Sequence, residues 1–342
     1  MIDLFSDTRT QPTRTMRQAM AEAEVGDEQA GLDPTVNELC ERVANLLGTE
    51  SAVYLPSGTM CNEIAYRVHC RPGDEIILDR TAHGIIAEAG GPAALALAML
   101  YPLDGERGQF TAEQVAGAVR SGSRYEPRSR LVSIEQTSNW GGGSVWPLET
   151  IQGISDLARD RGLAMHMDGA RLMNAVAASG VQAVDYAAPF DSLWLDFSKG
   201  LGAPLGAVLA GSADFIHEAW RLKQQMGGSM RQAGIVAAGC IHALDHHIDR
   251  LEDDHANAKH LAEGLAELPG IDLDPSLIET NIVFFDLSPS GPSAPALSAR
   301  LAEEGVRIGA MGERRMRAVT HLDIDAAAIE KTLTLMATCI RM

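Results

Sequence analysis

The chain has 342 residues, 46% of them hydrophobic, and a formal net charge of −18 at pH 7. This acidity argues against a nucleic-acid partner, because phosphate binding requires a concentrated basic face, and no apolar run reaches the roughly 20 residues of a membrane span. Five cysteines without a C-x-x-C pair argue against a disulfide framework in a chain of this size, so we expect a cytoplasmic globular protein.

The pattern of apolar residues predicts an α/β fold in three parts. Residues 1–45 combine turn signals with an amphipathic helix at 35–47 and predict an N-terminal arm. In residues 46–245, apolar runs at 52–55, 75–78, 131–134, 163–167, 192–197 and 206–210 alternate with helix-like stretches. This alternation predicts a mostly parallel sheet with helices on both faces.

The remaining residues, 246–342, predict a small α+β domain. A helical stretch at 233–268 leads into predicted strands at 281–287, 306–308 and 317–322, with helices at 293–304 and 325–340. The histidines His242, His246 and His247 have a spacing that could bind a metal. Because acidic residues surround them, we interpret the cluster as a charged solvent face and predict no metal site.

A small-residue turn follows the first strand of the sheet. Pro56-Ser57-Gly58-Thr59 opens a predicted helix, whose first N–H groups and positive dipole end favour a phosphate group. An ordinary N-cap by Ser57 is the alternative. Because the turn precedes the acid and the lysine described next, we interpret Ser57, Gly58 and Thr59 as a phosphate-binding turn.

Two polar side chains directly follow later strands. Asp168 lies in Met165-His166-Met167-Asp168-Gly169-Ala170-Arg171, and Lys199 lies in Ser198-Lys199-Gly200. Taken singly, an N-cap and a solvated loop lysine are the common alternatives. Together they suit pyridoxal phosphate, because a carboxylate keeps the pyridine nitrogen protonated and a lysine amine forms a Schiff base with the aldehyde. We therefore predict that Asp168 and Lys199 hold this cofactor.

Four further side chains are candidates for the same site. His83 follows the run at 75–78 and could stack on the cofactor ring and accept a proton, unless backbone groups simply satisfy it. Arg171 and Arg317 offer a planar fork that could bind a substrate carboxylate or the phenolic oxygen of the cofactor, although a surface ion pair is the common alternative. Arg231, after the glycines of Met226-Gly227-Gly228-Ser229-Met230, could contact the phosphate or lie in a plain connecting turn.

In combination, these segments resemble the threonine aldolase and β-eliminating lyase group of fold-type I pyridoxal-phosphate enzymes. The resemblance covers nearly the whole chain and is specific only in combination. Its segments are Ser6-Asp7-Thr8, Val25-Gly26-Asp27, Asp33-Pro34-Thr35, Pro56-Ser57-Gly58-Thr59, Ala82-His83, Glu88-Ala89-Gly90-Gly91, Asp168-Gly169-Ala170-Arg171, Ser198-Lys199-Gly200-Leu201-Gly202, Met230-Arg231-Gln232 and Thr320-His321-Leu322-Asp323. It implies the fold-type I transferase fold with a small C-terminal α+β domain.

The resemblance also implies a role for each matching residue. Lys199 carries the cofactor, Asp168 holds the ring nitrogen and His83 stacks on the ring. The remaining positions bind the phosphate or the substrate carboxylate: Gly58, Thr59 and the neighbouring subunit's Arg231 for the phosphate, and Ser6, Arg171 and Arg317 for the carboxylate. Such sharing implies a homo-oligomer, a dimer or a tetramer.

The activity that the resemblance implies is cleavage of an L-β-hydroxy-α-amino acid to glycine and an aldehyde. Two departures from the family pattern concern the site: Ser138 stands where a second histidine is usual, and Gln224, beside Lys223, stands where a phosphate-binding lysine is usual. We therefore predict that His83 is the base. Open alternatives are a β-eliminating lyase, a racemase, an aminotransferase or a protein that binds the cofactor without turnover.

Overall fold

The computed structural model describes residues 1–341, which form a seven-stranded sheet, a four-stranded sheet and a two-stranded pairing. The strands are β1 (Ile2–Asp3), β2 (Ser51–Leu55), β3 (Asp74–Asp79), β4 (Met99–Leu103), β5 (Arg128–Glu135), β6 (Ala164–Asp168), β7 (Ser192–Asp196), β8 (Ala207–Gly211), β9 (Ile271–Asp272), β10 (Ile282–Leu287), β11 (Val306–Arg307), β12 (Gly309–Ala310) and β13 (Arg315–Val319). The helices are α1 (Arg14–Ala21), α2 (Pro34–Leu47), α3 (Gly58–His69), α4 (His83–Ile86), α5 (Gly91–Ala94), α6 (Ala112–Ala118), α7 (Leu148–Asp160), α8 (Leu172–Ser179), α9 (Ala183–Ala187), α10 (Ala213–Gln225), α11 (Gly234–His246), α12 (Leu251–Ala266), α13 (Ala294–Glu303) and α14 (Ala326–Cys339).

The large sheet confirms the predicted mostly parallel architecture. Its strand order is β2-β8-β7-β6-β5-β3-β4, and only β8 runs antiparallel to its neighbours. Each predicted apolar run lies in one of these strands. The edge strand β4 was not predicted, because Pro102 interrupts its run and its side chains are largely exposed.

Helices cover both faces of the large sheet, as the apolar runs of its strands require. In β2, Val53 and Leu55 pack with α3 and α10, while Tyr54 points to the opposite face and packs with α2. On that opposite face, α7 covers β6. Because side chains of a strand alternate between faces, a strand with apolar residues at every position must lie between two helical layers.

The N-terminal arm and the C-terminal region differ in detail from the prediction. The first strand, β1, pairs in parallel with β11, so the start of the arm joins the C-terminal region. Of the predicted strand 306–308, β11 covers the first two residues, and the next strand, β12, belongs to the sheet β12-β13-β10-β9. The division into three parts at residues 45 and 245 stays a prediction.

The predicted helix at 233–268 is two helices, α11 and α12. Near the break, His246 is exposed and His242 half-buried, as the predicted solvent face requires, but two members of the cluster are enclosed. His247 is buried and its Nδ1 contacts the carbonyl oxygen of Leu201 at 2.7 Å. Asp254 is also buried, paired with Arg250. Within residues 1–341, no helix is both long and apolar enough to span a membrane.

Candidate active site

Three neighbouring parallel strands end in an acid at one edge of the large sheet. Glu135 ends β5, Asp168 ends β6 and Asp196 ends β7, and the first two are paired residues in the sheet. Their side chains line a cleft of about 380 Å³. The predicted site residues that line the same cleft are Ser6, Ser57, Gly58, Thr59, His83, Asp168, Arg171, Lys199 and Arg317.

Asp168 is buried, and both of its carboxylate oxygens accept hydrogen bonds. The side-chain amide of Asn62 donates to Oδ2 at 2.9 Å, and the backbone N–H of Ala170 donates to Oδ1 at 3.0 Å. Burial raises the pKa of Asp168, while His83, the Asn62 hydrogen bond and Lys199 oppose the shift. A cationic ring nitrogen placed against this carboxylate would favour its charged form.

Asn62 is itself fixed by a buried polar network. Its Oδ1 accepts from the indole N–H of Trp194 at 2.7 Å and contacts Nε2 of His166 at 3.2 Å. His166 Nδ1 and His69 Nε2 both contact the hydroxyl of Ser192 at 2.8 Å. Burial lowers the pKa of His166 to about 3 and that of His69 to about 4. The network is therefore neutral at pH 7 and orients Asn62 towards Asp168.

Lys199 lies three residues beyond β7, with its amine inside the cleft. Its Nζ is 2.9 Å from Oδ2 of Asp196 and 5.7 Å from the centre of the Trp194 ring. Burial acts to lower the pKa of Lys199, but the negative charges of Asp196 and Asp168 outweigh burial and Arg171 and raise it above its usual value.

His83 begins α4 and is held by two acids. Its Nδ1 contacts Glu88 Oε1 at 2.8 Å, and its backbone N–H donates to Glu135 Oε2 at 2.8 Å. The hydrogen bond to Glu88 raises the pKa of His83, although burial opposes it. Because Glu88 engages Nδ1, the imidazole presents Nε2 as the nitrogen available for a ligand.

Two further carboxyl groups near His83 have shifted pKa values. Burial and the neighbouring Asp168 raise the pKa of Glu135 to about 7. Burial and the adjacent Glu88 raise the pKa of Glu63 to about 9, so Glu63 is neutral at pH 7. Both Glu63 oxygens and Glu88 Oε2 are buried without a hydrogen-bond partner among the described residues, and the charge of Glu88 acts on Glu63, so the two side chains form a buried carboxyl pair.

The N-terminus of α3 forms the other end of the cleft. The hydroxyl of Ser57 accepts from the backbone N–H of Met60 at 3.3 Å and caps the helix, and Ser57 also lines the cleft. A Cβ atom at Gly58 would lie 2.1 Å from the Trp194 ring, and therefore only glycine fits there. The N–H groups of Gly58 and Thr59 lie in the first turn, where helix geometry provides no backbone acceptor.

The two arginines of the cleft differ in their partners, because one is paired with an acid and the other is not. Arg171 is buried and donates through Nε and Nη2 to both oxygens of Asp7, at 2.7 and 2.8 Å. Arg317 donates to Asn139 Oδ1 at 3.1 Å, while its Nε is buried without a partner among the described residues. Burial, together with the nearby Arg171, lowers the pKa of Arg317. An anion between these two guanidinium groups would satisfy the free donor of Arg317 and the remaining donors of Arg171.

Arg231 is not brought to the cleft by this chain. Its side chain is 64% exposed and pairs with Asp27 at 3.1 Å. Ser138, which stands where a histidine is usual, is buried, and its hydroxyl accepts from the N–H of Gly141 at 3.2 Å. Ser6 lines the cleft, with its hydroxyl 2.9 Å from that of Thr8. His83 is therefore the one imidazole among the described residues that line the cleft.

The sequence interpretation did not single out Glu135, Asp196 or Asn139 as residues of the cleft. Glu135 and Asp196 each follow an apolar run, which is the same signal that identified Asp168. Applied to every strand, that signal would have found both acids. No signal marks Asn139, because its position follows from the turn after β5 and from its contact with Arg317.

The groups in the cleft fit pyridoxal phosphate. An amine and a buried acid lie on neighbouring strands, and free backbone N–H groups lie at a helix N-terminus in the same cleft. A phosphate suits those N–H groups, and an aldehyde suits the amine. The cleft therefore has one partner for each functional group of the cofactor: an amine for the aldehyde, an acid for the ring nitrogen and backbone N–H groups for the phosphate.

Known proteins that are similar to this chain share its length and fold. The sequence model described as β-eliminating lyase matches residues 3–288. Low-specificity L-threonine aldolase of Escherichia coli K12 is 40% identical over 326 residues, which cover 95% of each chain. Low-specificity L-threonine aldolase 1 of Arabidopsis thaliana is 38% identical over 338 residues, covering 97% of this chain and 94% of that protein.

A solved structure agrees with this relationship at the level of the fold. Threonine aldolase of Leishmania major superimposes with a TM-score of 0.85 at 19% identity, covering 99% of this chain and all of that chain. The expected fold class is thereby confirmed. The length of the matched sequence and the identity to the two aldolases show that this chain belongs to the β-eliminating lyase family.

Proposed function

We propose that this protein is a pyridoxal-phosphate-dependent aldolase that cleaves L-β-hydroxy-α-amino acids, such as threonine or allo-threonine, to glycine and an aldehyde. The observation that carries the proposal is the cleft that combines Lys199, Asp168 and the buried donor of Arg317. An amino acid offers an amine, which the cofactor's aldehyde would take over from Lys199, and a carboxylate, which suits the free donor of Arg317. The names of the two aldolase relatives support the same substrate class.

When bound, pyridoxal phosphate joins its aldehyde carbon to an amino group and draws electrons from the bonds at the substrate's Cα. Lys199 supplies the protein's amine for that bond. Asp168, fixed by Asn62, faces the ring nitrogen and keeps it protonated. The N–H groups of Gly58 and Thr59, with Ser57, hold the phosphate at the start of α3.

The arginines orient the substrate. Arg317 directs its free Nε–H to the substrate carboxylate, and Arg171 contributes the donors that Asp7 does not use. Ser6, next to Asp7, adds a hydroxyl at the same end of the cleft. With the carboxylate fixed by the two arginines, the Cα–Cβ bond would be held in one orientation toward the cofactor that weakens it.

His83 accepts the proton of the substrate's β-hydroxyl group, directly or through a water molecule. Glu88 fixes Nδ1, so Nε2 is the accepting atom. Loss of this proton allows the Cα–Cβ bond to break and the β-carbon to leave as an aldehyde. The raised pKa of His83 predicts that activity rises with pH as the imidazole loses its proton.

Replacement of Lys199 tests the assignment. In Lys199→Ala, we expect loss of the visible absorbance of the lysine-linked cofactor, and no mass gain after borohydride treatment, because the amine is absent. Aldehyde release from threonine and allo-threonine should fall by at least about 1,000-fold. Full turnover in this variant would refute the proposal.

The base is tested separately with His83→Asn, a change that keeps a polar side chain near Glu88. We expect the cofactor to stay bound, because Lys199 and Asp168 are unchanged. Aldehyde release should fall by about 100-fold or more, the usual contribution of a positioned base. A wild-type rate in His83→Asn would show that another group accepts the proton.

We also propose that a second copy of the chain completes the cleft with its Arg231. The exposure of this side chain supports the idea, since only Asp27 contacts its guanidinium group within the described residues. Mixing Lys199→Ala with Arg231→Ala subunits should then restore activity in hybrid oligomers, because one site has both residues. Mixing Lys199→Ala with Asp168→Ala should not, since both residues come from the same chain.

A further inference from the structure

Asp196 is a buried acid of the cleft to which the proposed chemistry gives no task. Its side chain is 2% exposed. The backbone N–H and the hydroxyl of Ser198 donate to Oδ1 at 3.2 and 2.9 Å, which fixes the carboxylate. Oδ2 faces Nζ of Lys199 at 2.9 Å and has no other partner within the described residues.

The other two acids that line the cleft are fully engaged. Glu135 accepts from the backbone N–H groups of His83 and Asn139, one at each oxygen. Asp168 accepts from Asn62 and Ala170. Asp196 alone of the three acids keeps one oxygen for the amine, and the hydroxyl of Ser198 holds the opposite oxygen so that Oδ2 cannot turn away.

We propose that Asp196 is the resting partner of the Lys199 amine, a positioning residue that holds the side chain and its proton whenever the amine is not joined to the cofactor. This inference rests on the proposed function, in which Lys199 must attach to and leave the cofactor. An ammonium group cannot attack a carbonyl carbon. One proton must therefore pass from Nζ before attachment, and Oδ2 of Asp196 is placed to take it.

The proton and atom balance of cofactor capture is simple. The Lys199 ammonium gives one proton to Asp196 and so to solvent. The neutral amine then forms a carbon–nitrogen double bond with the aldehyde carbon, and its two hydrogens leave with the aldehyde oxygen as water. When the amine is released it takes up one proton and returns to Asp196. No oxidant or reductant takes part.

Several charged or titratable groups lie near the Lys199–Asp196 pair. Their charges determine in which direction the pKa of Lys199 changes when Asp196 is replaced. Asp168 from β6 and Asp7 from the arm are negative, and Arg171, just before α8, is positive. The thiols of Cys61 on α3 and Cys240 on α11 lie close enough to Asp196 to sense its charge, but burial raises their pKa values, so both are neutral. Without the charge of Asp196, burial and Arg171 favour the neutral amine of Lys199.

The test is the pH dependence of cofactor capture by the full chain after its own cofactor has been removed. Pyridoxal phosphate is added, and attachment is followed by visible absorbance and by mass after borohydride treatment. In Asp196→Asn, we expect the midpoint of the capture profile to fall by about one pH unit or more, since an opposite charge at this distance is removed. Asp196→Glu should restore most of the wild-type midpoint.

Two further variants complete the experiment. Asp214→Asn, at an exposed position of α10, is the matched control and should leave the midpoint unchanged. Ser198→Ala keeps the acid but loosens it, and should lower the midpoint by less than Asp196→Asn does. If Asp196→Asn does not fold, the midpoint shift of Ser198→Ala is used instead to test the role of Asp196.

The outcomes separate the two proposals. A wild-type midpoint in Asp196→Asn, or in Ser198→Ala if that variant decides, overturns the role of Asp196 while leaving the proposed function intact. A wild-type chain that attaches no cofactor at Lys199 at any pH overturns the proposed function, and with it this inference. A lowered midpoint that Asp196→Glu reverses supports both.

Discussion

Lys199 is half-buried and Lys223 is buried, and each contacts one carboxylate. The amine of Lys223, on α10, contacts Glu28 and the carbonyl oxygen of Tyr54, the latter at 2.7 Å. The second oxygen of Glu28 accepts from the N–H of Met230 at 2.8 Å. The side chain of Lys223 has no exposed surface, whereas that of Lys199 is 21% exposed and lines the cleft.

The two lysines differ in the surroundings of their amines. Around Lys223, every oxygen of Glu28 is engaged, and the pair joins the start of the chain to α10 and to the turn after it. Beside Lys199, the amine is the one partner of Asp196 Oδ2 within the described residues, and it faces a cleft. Burial of an ion pair therefore indicates stability at one position and chemistry at the other. Lys223 is also not among the residues that line the cleft.

The largest expected effect comes from breaking the enclosed pair. Glu28→Ala leaves the charge of Lys223 buried without a partner, which should lower the free energy of unfolding by about 3–5 kcal/mol. Urea denaturation of the variant measures this loss. If Asp196→Asn, which breaks the open pair, costs as much, the distinction between the two lysines is wrong.

A double variant sharpens the same comparison. Replacing Glu28 and Lys223 together by Leu and Met removes both charges and keeps apolar volume, so most of the stability lost in Glu28→Ala should return. A double variant as unstable as the single one would show that the hydrogen bonds to Tyr54 and Met230, and not the buried charge, account for the loss.

A third ion pair combines features of the other two. Asp7 and Arg171 form an enclosed pair beside the cleft, and the amide of Asn281 also donates to Asp7 at 3.0 Å. Asp7→Asn should lower the free energy of unfolding by about 3 kcal/mol, because the Arg171 charge loses its partner. The loss is measured by urea denaturation at pH 7.

The pH dependence of this loss has a fixed sign. Although burial acts to raise the pKa of Asp7, the Arg171 guanidinium holds it well below its usual range. The contribution of Asp7 is therefore complete above its unfolded-state pKa of about 4 and is lost as the pH falls towards its native value. The gap between wild type and Asp7→Asn should be constant above about pH 5 and should narrow in acid. A gap that widens in acid would contradict the ion pair.

These pairs also show where the sequence was sufficient and where it was not. The strands β5, β6 and β7 were predictable because each is a continuous apolar run, and Asp168 and Lys199 were found because they follow such runs. The contact of Asp7 with Arg171, 164 positions away, has no local signal. The same is true of Lys223, whose burial follows from the packing of α10 on β2.

Substrate binding should depend on Arg317, whose Nε–H has no acceptor among the described residues. Arg317→Ala removes the free donor of the cleft, and we expect kcat/KM for threonine cleavage to fall by about 10- to 100-fold, as for loss of a hydrogen bond to a charged group. Arg315→Ala is the matched control. Its guanidinium lies over the Phe284 ring at 4.8 Å, outside the cleft, so kcat/KM should change by less than about twofold. Equal effects of the two variants would remove Arg317 from the site.

The smallest effect is expected at the carboxyl pair behind His83. Glu63 is neutral at pH 7 and Glu88 holds the imidazole, so the same isosteric change should act differently at the two positions. Glu63→Gln should change the free energy of unfolding by less than about 1 kcal/mol and leave the pKa of His83 nearly unchanged. Glu88→Gln should lower the pKa of His83 by about one unit, because it removes the charge that stabilises the imidazolium.

An NMR titration of the His83 ring in both variants shows which of the two carboxyl groups raises the pKa of His83. A buried carboxyl group without a charge, such as Glu63, contributes packing. Glu88, by contrast, raises the pKa of the His83 imidazole that it contacts. If Glu63→Gln lowers the pKa of His83 as far as Glu88→Gln does, then Glu63 is charged in the folded protein. The imidazole would then be held by two carboxylates, and its proton would be lost at a higher pH than one carboxylate alone produces.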